Sequence, residues 1–385
     1  MYRQIAFYIF ICLFLSCSGN QEPVLKSNPG LNIPFQPKKY LCNKTTGPIR
    51  VDGDLNDTAW ENAVWSSSFV DIEGELKPLP AWDTRVKMLW DEHYLYVAAE
   101  MMEPHIWATL TEHDAVIFHD DDFEVFIDPN GDTHNYYEFE INALNTCWDL
   151  VLTKPYRDGG HAIDSWEIPG LQKGVNVYGT LNDPSDIDQK WTVELAFPWQ
   201  VLRELNTGQR IPEPGDQWRI NFSRVDWEME IEGNTYKKKK DEDGENLPEH
   251  NWVWSPQGVI NMHRPETWGY VQFVDNDIDK ETSINWEITN DIGIQQSDEM
   301  VKWALRQVYY RQHAYYAENE IFTNSLSALR IQEVEITINN KPFEPNIEII
   351  PSGFIASYPS TDKNGVWYIE TDGLIQFAEN TNQGN

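Results

Sequence analysis

One pattern constrains this chain more than any other: apolar and polar residues alternate with period two, in segment after segment. Across residues 86–99, Val86, Met88 and Trp90, then Leu95, Val97 and Ala99, alternate around a turn. Asp121–Asp128 places Phe123, Val125 and Ile127 on one side. Residues 136–144, 190–199, 218–227 and 268–274 repeat the pattern. Alternation of this kind gives strands with one buried and one wetter face, and many such strands without helical stretches between them predict paired sheets. Residues 45–275 are therefore expected to form an all-β sandwich of antiparallel layers, jelly-roll or immunoglobulin-like. Residues 198–205 read as one short helix entered through Pro198. After Asp275 the pattern changes. Ser297, Asp298 and Glu299 suit a helix start, and Met300, Ala304, Val308 and Tyr315 follow near one stripe. Short strands come next, so residues 276–385 are expected to form a small α+β unit.

The first residues read as an address. Arg3 precedes an apolar run from Ile5 to Leu15, which is shorter than the roughly 20 residues that a membrane-spanning helix needs. Residues 1–16 are read as a signal peptide. Leu13 to Cys17 resembles a bacterial lipobox, so Cys17 is the expected lipidation site; plain secretion is the other reading. Residues 17–44 are then a lipid-attached linker. The chain is expected to be exported, as an outer-membrane or cell-surface lipoprotein that meets the membrane only through its lipid. Cys42 and Cys147 remain in the mature chain, as a disulfide or as two buried free thiols.

Charge narrows the partners. Lys plus Arg number 29 against 62 Asp plus Glu, a formal net charge of −33. Such a surface repels phosphate backbones, which excludes nucleic acid, and favours divalent cations or neutral ligands. The 17 Trp and 17 Tyr suit stacking against sugar rings as well as core packing. Lys237–Lys240 form a basic run within an acidic stretch, read as a solvated hairpin tip or a docking loop. No HExxH, paired CxxC, GxSxG or phosphate-cradling glycine loop occurs in the sequence. With 62 acids, any nominated glycosidase pair lacks specificity.

Several segments together resemble the family 9 carbohydrate-binding modules and the wider DOMON-like sandwiches. They are Asp52, Gly53, Asp54, Asp57 and Trp60 at the first strand; the hairpin over residues 86–101; residues 119–129; residues 191–199; and residues 254–273. The resemblance implies a β-sandwich that binds calcium and holds oligosaccharide or polysaccharide without catalysis, in support of polysaccharide degradation, with glycoside hydrolases as partner proteins. It places the family's two clamp tryptophans at Phe118 and Met262 and its arginine at Glu140, three departures in residue type. Its glutamate falls at Glu124 and its strand asparagine at Asn142. The residues themselves add Trp148 as a platform, with Arg224 and His263 as polar groups for the same end. Calcium takes six to eight oxygens from flexible loops. Asp52 and Asp54, and Glu103, Asp114 and Asp122, are the candidate ligands. Two alternatives stay open: a glycoside hydrolase or accessory enzyme of the same pathway, and a haem-binding DOMON-type electron carrier with Met and His as axial ligands, for which Met262 adjoins His263 while Met101 and Met102 lie on another strand.

Overall fold

The computed structural model describes residues 35–275, 282, 298–333 and 336–380. The signal peptide, Cys17, most of the linker and Ser297 therefore lie outside the described residues.

The first half supplies β1 (Lys39–Lys44), β2 (Val70–Asp71), β3 (Thr84–Trp90), β4 (Tyr94–Met102), β5 (Asp122–Asp128), β6 (Tyr136–Asn142), β7 (Cys147–Leu152) and β8 (Ala162–Ile163). Then come β9 (Gln172–Tyr178), β10 (Lys190–Pro198), the short helix α1 (Trp199–Leu202), β11 (Gln217–Asp226), β12 (Met229–Glu232), β13 (Thr235–Lys238), β14 (His250–Val253) and β15 (Gly269–Val274). Thirteen strands join into one sheet, ordered β9-β10-β4-β3-β1-β15-β11-β5-β6-β7-β8, with β14 pairing β11 and β2. The sheet curls so that both halves contribute to one core. Val86, Val97 and Val193 from one half share it with Phe123, Phe139 and Phe222 from the other. The result is sandwich-like, as the alternation predicts.

Three expectations are corrected. The linker does not run to Lys44, because Lys39–Lys44 is a buried strand at the seam between the halves. Tyr40 and Cys42 point into the core, which is reason enough for the segment to leave solvent. β1 pairs parallel with both β15 and β3, so the sandwich is not wholly antiparallel. Nor do Cys42 and Cys147 form a disulfide: both are buried free thiols. The Cys147 sulfur sits 3.6 Å from His113 Nδ1, and burial raises both thiols.

The basic run forms the arm of a hairpin, β12–β13. Beyond it, α2 (Asp298–Asn319) is followed by β16 (Thr337–Ile338), β17 (Lys341–Pro342) and a four-stranded antiparallel sheet, β18 (Asn346–Ile350), β19 (Gly353–Pro359), β20 (Gly365–Glu370) and β21 (Ile375–Glu379). Val301, Leu305 and Val308 pack with Phe354 and Ile369 of that sheet. The other side of α2 meets the sandwich. Arg306 donates to Thr133 and to the Gly373 carbonyl at 2.9 and 2.7 Å. Tyr310 bonds Glu266 and Tyr309 bonds Asp158. Buried on two sides, α2 shows no single apolar stripe.

Candidate carbohydrate-binding face

Strand alternation builds the site. On β5 and β6 the odd-numbered residues Phe123, Val125, Ile127, Tyr137, Phe139 and Ile141 fill the core. Their neighbours Asp122, Glu124, Glu138, Glu140 and Asn142 therefore share the opposite face. Register aligns Ser223, Glu124, Glu140 and Trp148 across four strands. The next row holds Asn221, Phe126, Glu138 and Leu150. Four carboxyl groups on this face are at most 5% exposed. Burial, then repulsion from one another, holds Asp122, Glu138 and Glu140 well above the usual carboxylate range. Burial pushes Glu124 up to about 7. Several buried polar atoms lack partners there: both Asp122 carboxylate oxygens, Glu138 Oε2 and Trp148 Nε1. The Val225 amide pulls Asp122 down without making a well-shaped hydrogen bond. Buried polar groups are normally satisfied, so such a cluster points to something that binds.

Rings border this floor. Phe118 is half-buried and tilts against His119, 4.8 Å between ring centres. Its amide donates to Glu140 at 3.1 Å, and its carbonyl accepts the Trp227 indole at 2.9 Å. At the other end Trp148 and Met262 pack with Phe126, Tyr136, Leu150, Leu152 and Trp268. His263 Nδ1 lies 3.0 Å from the Tyr136 hydroxyl, and its ring is 4.6 Å from that of Tyr156. Burial, with Arg157 close by, lowers His263 to about 4. Tyr156 remains 49% exposed.

The predicted residues divide. Phe118, Glu124 and Glu140 come together, and Trp148, Met262 and His263 form the adjoining end. Asn142 is on the face, but its amide is consumed. It donates to Leu110 O and Asp120 at 2.9 and 3.0 Å and accepts from the Leu144 and Thr146 amides. Arg224 is corrected outright. It has the parity of Phe222, is fully buried, and pairs with Glu103 and Asp226 while donating to Met102 O at 2.8 Å. Of the atoms a haem reading would use, the Met262 sulfur is engaged: it accepts from Gln257. Sequence reading missed Glu138, Tyr136 and Tyr156. Glu138 was findable, since it shares the parity of Glu140 two residues on.

Residues 51–276, more than half of the chain, match the model of the "carbohydrate family 9 binding domain-like" family. This chain belongs to that family. The chain is 34% identical over 121 residues to endo-1,4-beta-xylanase C of Paenibacillus barcinonensis, covering 31% of this chain and 10% of that protein. It is 29% identical over 164 residues to endo-1,4-beta-xylanase A of Thermotoga maritima, covering 36% of this chain and 14% of that protein. The chain thus spans only about a tenth of the length of these curated relatives. Among solved structures, a family 9 carbohydrate-binding module from Caldicellulosiruptor kristjanssonii in complex with cellotriose superposes with a TM-score of 0.40 at 15% identity, over 63% of this chain and 97% of that one.

The five predicted metal ligands, expected in two clusters, fall in four places. Asp52 and Asp54 lie in a turn, where Asp52 is exposed and pairs with Arg50 at 3.3 Å. Glu103 groups with Asp121 and Asp226, but Arg224 already supplies a positive charge there. Asp114 adjoins His113. Asp122 lies with Glu124 and Glu140, their oxygens within 4.8 Å of one another. That last group has hard oxygen donors, no cation pairing it among the described ion pairs, and two unpartnered oxygens on Asp122. It is the group whose chemistry fits calcium.

Proposed function

We propose that the face around Trp148, Glu138 and Glu140 holds the sugar, that it does so without catalysis, and that it serves polysaccharide degradation at the cell surface. Carbohydrate binding follows from family membership; the place and manner are our reading. The observation that carries it is the cluster of unpartnered polar atoms on one sheet face, bordered by Trp148, Tyr156 and Phe118. Sugar hydroxyls both donate and accept, so they can satisfy carboxyl oxygens and an indole N–H together. A ring face packs against aromatic carbon. The xylanase relatives make β-1,4-linked oligosaccharides the first ligands to try. The apolar start of the chain supports a lipid anchor at Cys17, and glycoside hydrolases are the partners we expect.

Calorimetric titration with xylo- and cello-oligosaccharides tests the site. Binding should weaken roughly tenfold or more in Trp148→Ala. Silence toward every saccharide, or unchanged affinity in that variant, would sink the assignment.

Calcium held by Asp122, Glu124 and Glu140 forms part of the same proposal. It would neutralise carboxylates that burial otherwise disfavours. Saturating calcium at a hundredfold excess over its Kd should stabilise the EDTA-treated chain by about 2.7 kcal/mol. Asp122→Asn should lose that response. A melting temperature indifferent to calcium in both proteins would refute it.

A further inference from the structure

A second constellation lies away from the carbohydrate face, where three separate stretches of chain meet. His113 lies in the loop before β5. Its Nδ1 stands 3.0 Å from the Cys147 carbonyl, an acceptor that makes this nitrogen a donor, and its Nε2 bonds Glu167 Oε2 at 3.1 Å through a proton that a metal ion would displace. Around Nε2 stand Glu167 Oε2 at 3.1 Å, Asp114 Oδ1 at 3.5 Å and Asp149 Oδ1 at 3.6 Å. A single ion pair needs one carboxylate; here three converge on one imidazole.

We propose that His113 Nε2, Asp114, Asp149 and Glu167 form a zinc-class metal site. The spacing is the first reason. Ligands roughly 2.0–2.1 Å from a tetrahedral ion sit roughly 3.3 Å from one another; the three carboxylates stand 3.1–3.6 Å from Nε2, the ligand atoms of His113, Asp114 and Glu167 all lie within 4.8 Å of one another, and Asp149, outside that triad, would close in as the fourth. The outer contacts are the second. A metal-binding histidine commonly donates its other N–H to a backbone carbonyl, as this one does to Cys147, and its carboxylate co-ligands are hydrogen-bonded in turn. Asp149 meets this: its Oδ2 accepts the Ile168 amide at 2.6 Å, leaving Oδ1 turned to the imidazole. The third is Asp114 Oδ1, which is buried without a hydrogen-bond partner. Asp149 is nearly buried while His113 and Glu167 are about half exposed, so the floor is fixed and the ion has a path from solvent. An imidazole donor separates this site from the all-oxygen group at Asp122 and selects a transition metal over calcium. The Cys147 thiol, 3.6 Å from Nδ1, lies beside the imidazole nitrogen that the carbonyl occupies. Bound metal would pin the loop at 113–114, the start of β7 and the segment carrying Glu167 to one another.

The test uses the tag-free chain, stripped with EDTA and titrated with zinc and with cobalt(II). One equivalent should bind, and the cobalt form should show the intense visible absorption of four-coordinate cobalt. His113→Ala should weaken binding at least tenfold, and Glu167→Gln, at an exposed position that folding does not need, should weaken it measurably. Asp122→Asn should leave zinc untouched. Absence of stoichiometric zinc at micromolar free metal, or full retention in both His113→Ala and Glu167→Gln, would overturn the proposal. Were His113→Ala to misfold, the cobalt spectrum and Glu167→Gln would decide.

Discussion

Glu194 shows how one residue can organise a motif that looks functional. It is fully buried on β10 and accepts from the Asp52 and Gly53 amides at 2.9 and 2.8 Å and from the Trp60 indole at 2.7 Å. The acidic stretch at 52–57, read from sequence as a calcium turn, is thus a clasp over the sheet edge. Gly53 has a φ of +88°, and an added β-carbon would lie 2.5 Å from the Val175 carbonyl carbon. Gly53→Ala should therefore cost several kcal/mol, about 3 or more, because backbone strain and a backbone clash coincide. Glu194→Ala should cost a similar amount by stranding three donors, two of them backbone. Chemical denaturation would measure both, and a loss below about 1 kcal/mol in either would contradict the account. Charge at single residues was the least legible quantity. Nothing local in the sequence distinguishes Arg224, which lies inside the sandwich with Glu103 and Asp226, from Arg50, which is exposed; only the strand parity does.

At the scale of elements, the sequence carried most of the sandwich. Strand alternation located β3 to β6, β10, β11 and β15, and it also fixed which face each carboxylate occupies. The family resemblance brought Glu124 and Glu140 together, and the strand register agrees. Two things were not legible. β1 is six residues long, and its apolar content does not separate it from a tether; its burial comes from neighbours more than 40 and 200 positions away. α2 was found, but not its second buried side, because arginines and tyrosines replace the usual apolar stripe there. The His113 constellation was invisible for a related reason. Its residues stand at positions 113, 114, 149 and 167, a spacing without a local motif. The second side of α2 gives a prediction. Tyr310→Phe deletes the hydroxyl that bonds Glu266, and should destabilise the chain by about 1–3 kcal/mol in thermal or urea unfolding. No change would mean that this contact is not maintained in solution.

On the scale of the molecule, a charged network joins the two units. Tyr310 bonds Glu266, which Arg157 of the sandwich also bonds at 3.0 Å; Glu299 accepts from Tyr270 at 2.6 Å and from Arg219 at 3.3 Å, and Lys154 reaches Asp372 at 3.2 Å. Phe35 stacks on Trp303 with ring centres 5.0 Å apart. Burial works against the Glu266 charge, but Arg157, Arg306, Arg264 and the Tyr310 hydroxyl hold its carboxyl well below the usual range. For Asp372, His134 at 3.6 Å and the Lys154 ammonium, which donates to its carboxylate at 3.2 Å, do the same against burial. A carboxylate with a depressed folded-state pKa binds fewer protons folded than unfolded, so it stabilises above its ordinary pKa and loses that effect in acid. The advantage of the native chain over Glu266→Gln, about 3 kcal/mol for a broken buried pair, should be complete above roughly pH 4.3 and shrink as the pH falls further. Urea midpoints of both proteins at several pH values would show it; a constant difference would exclude Glu266 as the source.

The seam strand has a mechanical consequence. Any tension arriving from residues 1–34 enters the molecule along β1, whose partners on both flanks run in its own direction. A pull toward the N-terminus slides such a ribbon lengthwise past its neighbours, so its backbone bonds must yield as a group and not one by one. A chain held at that end would meet the load at β1 in shear.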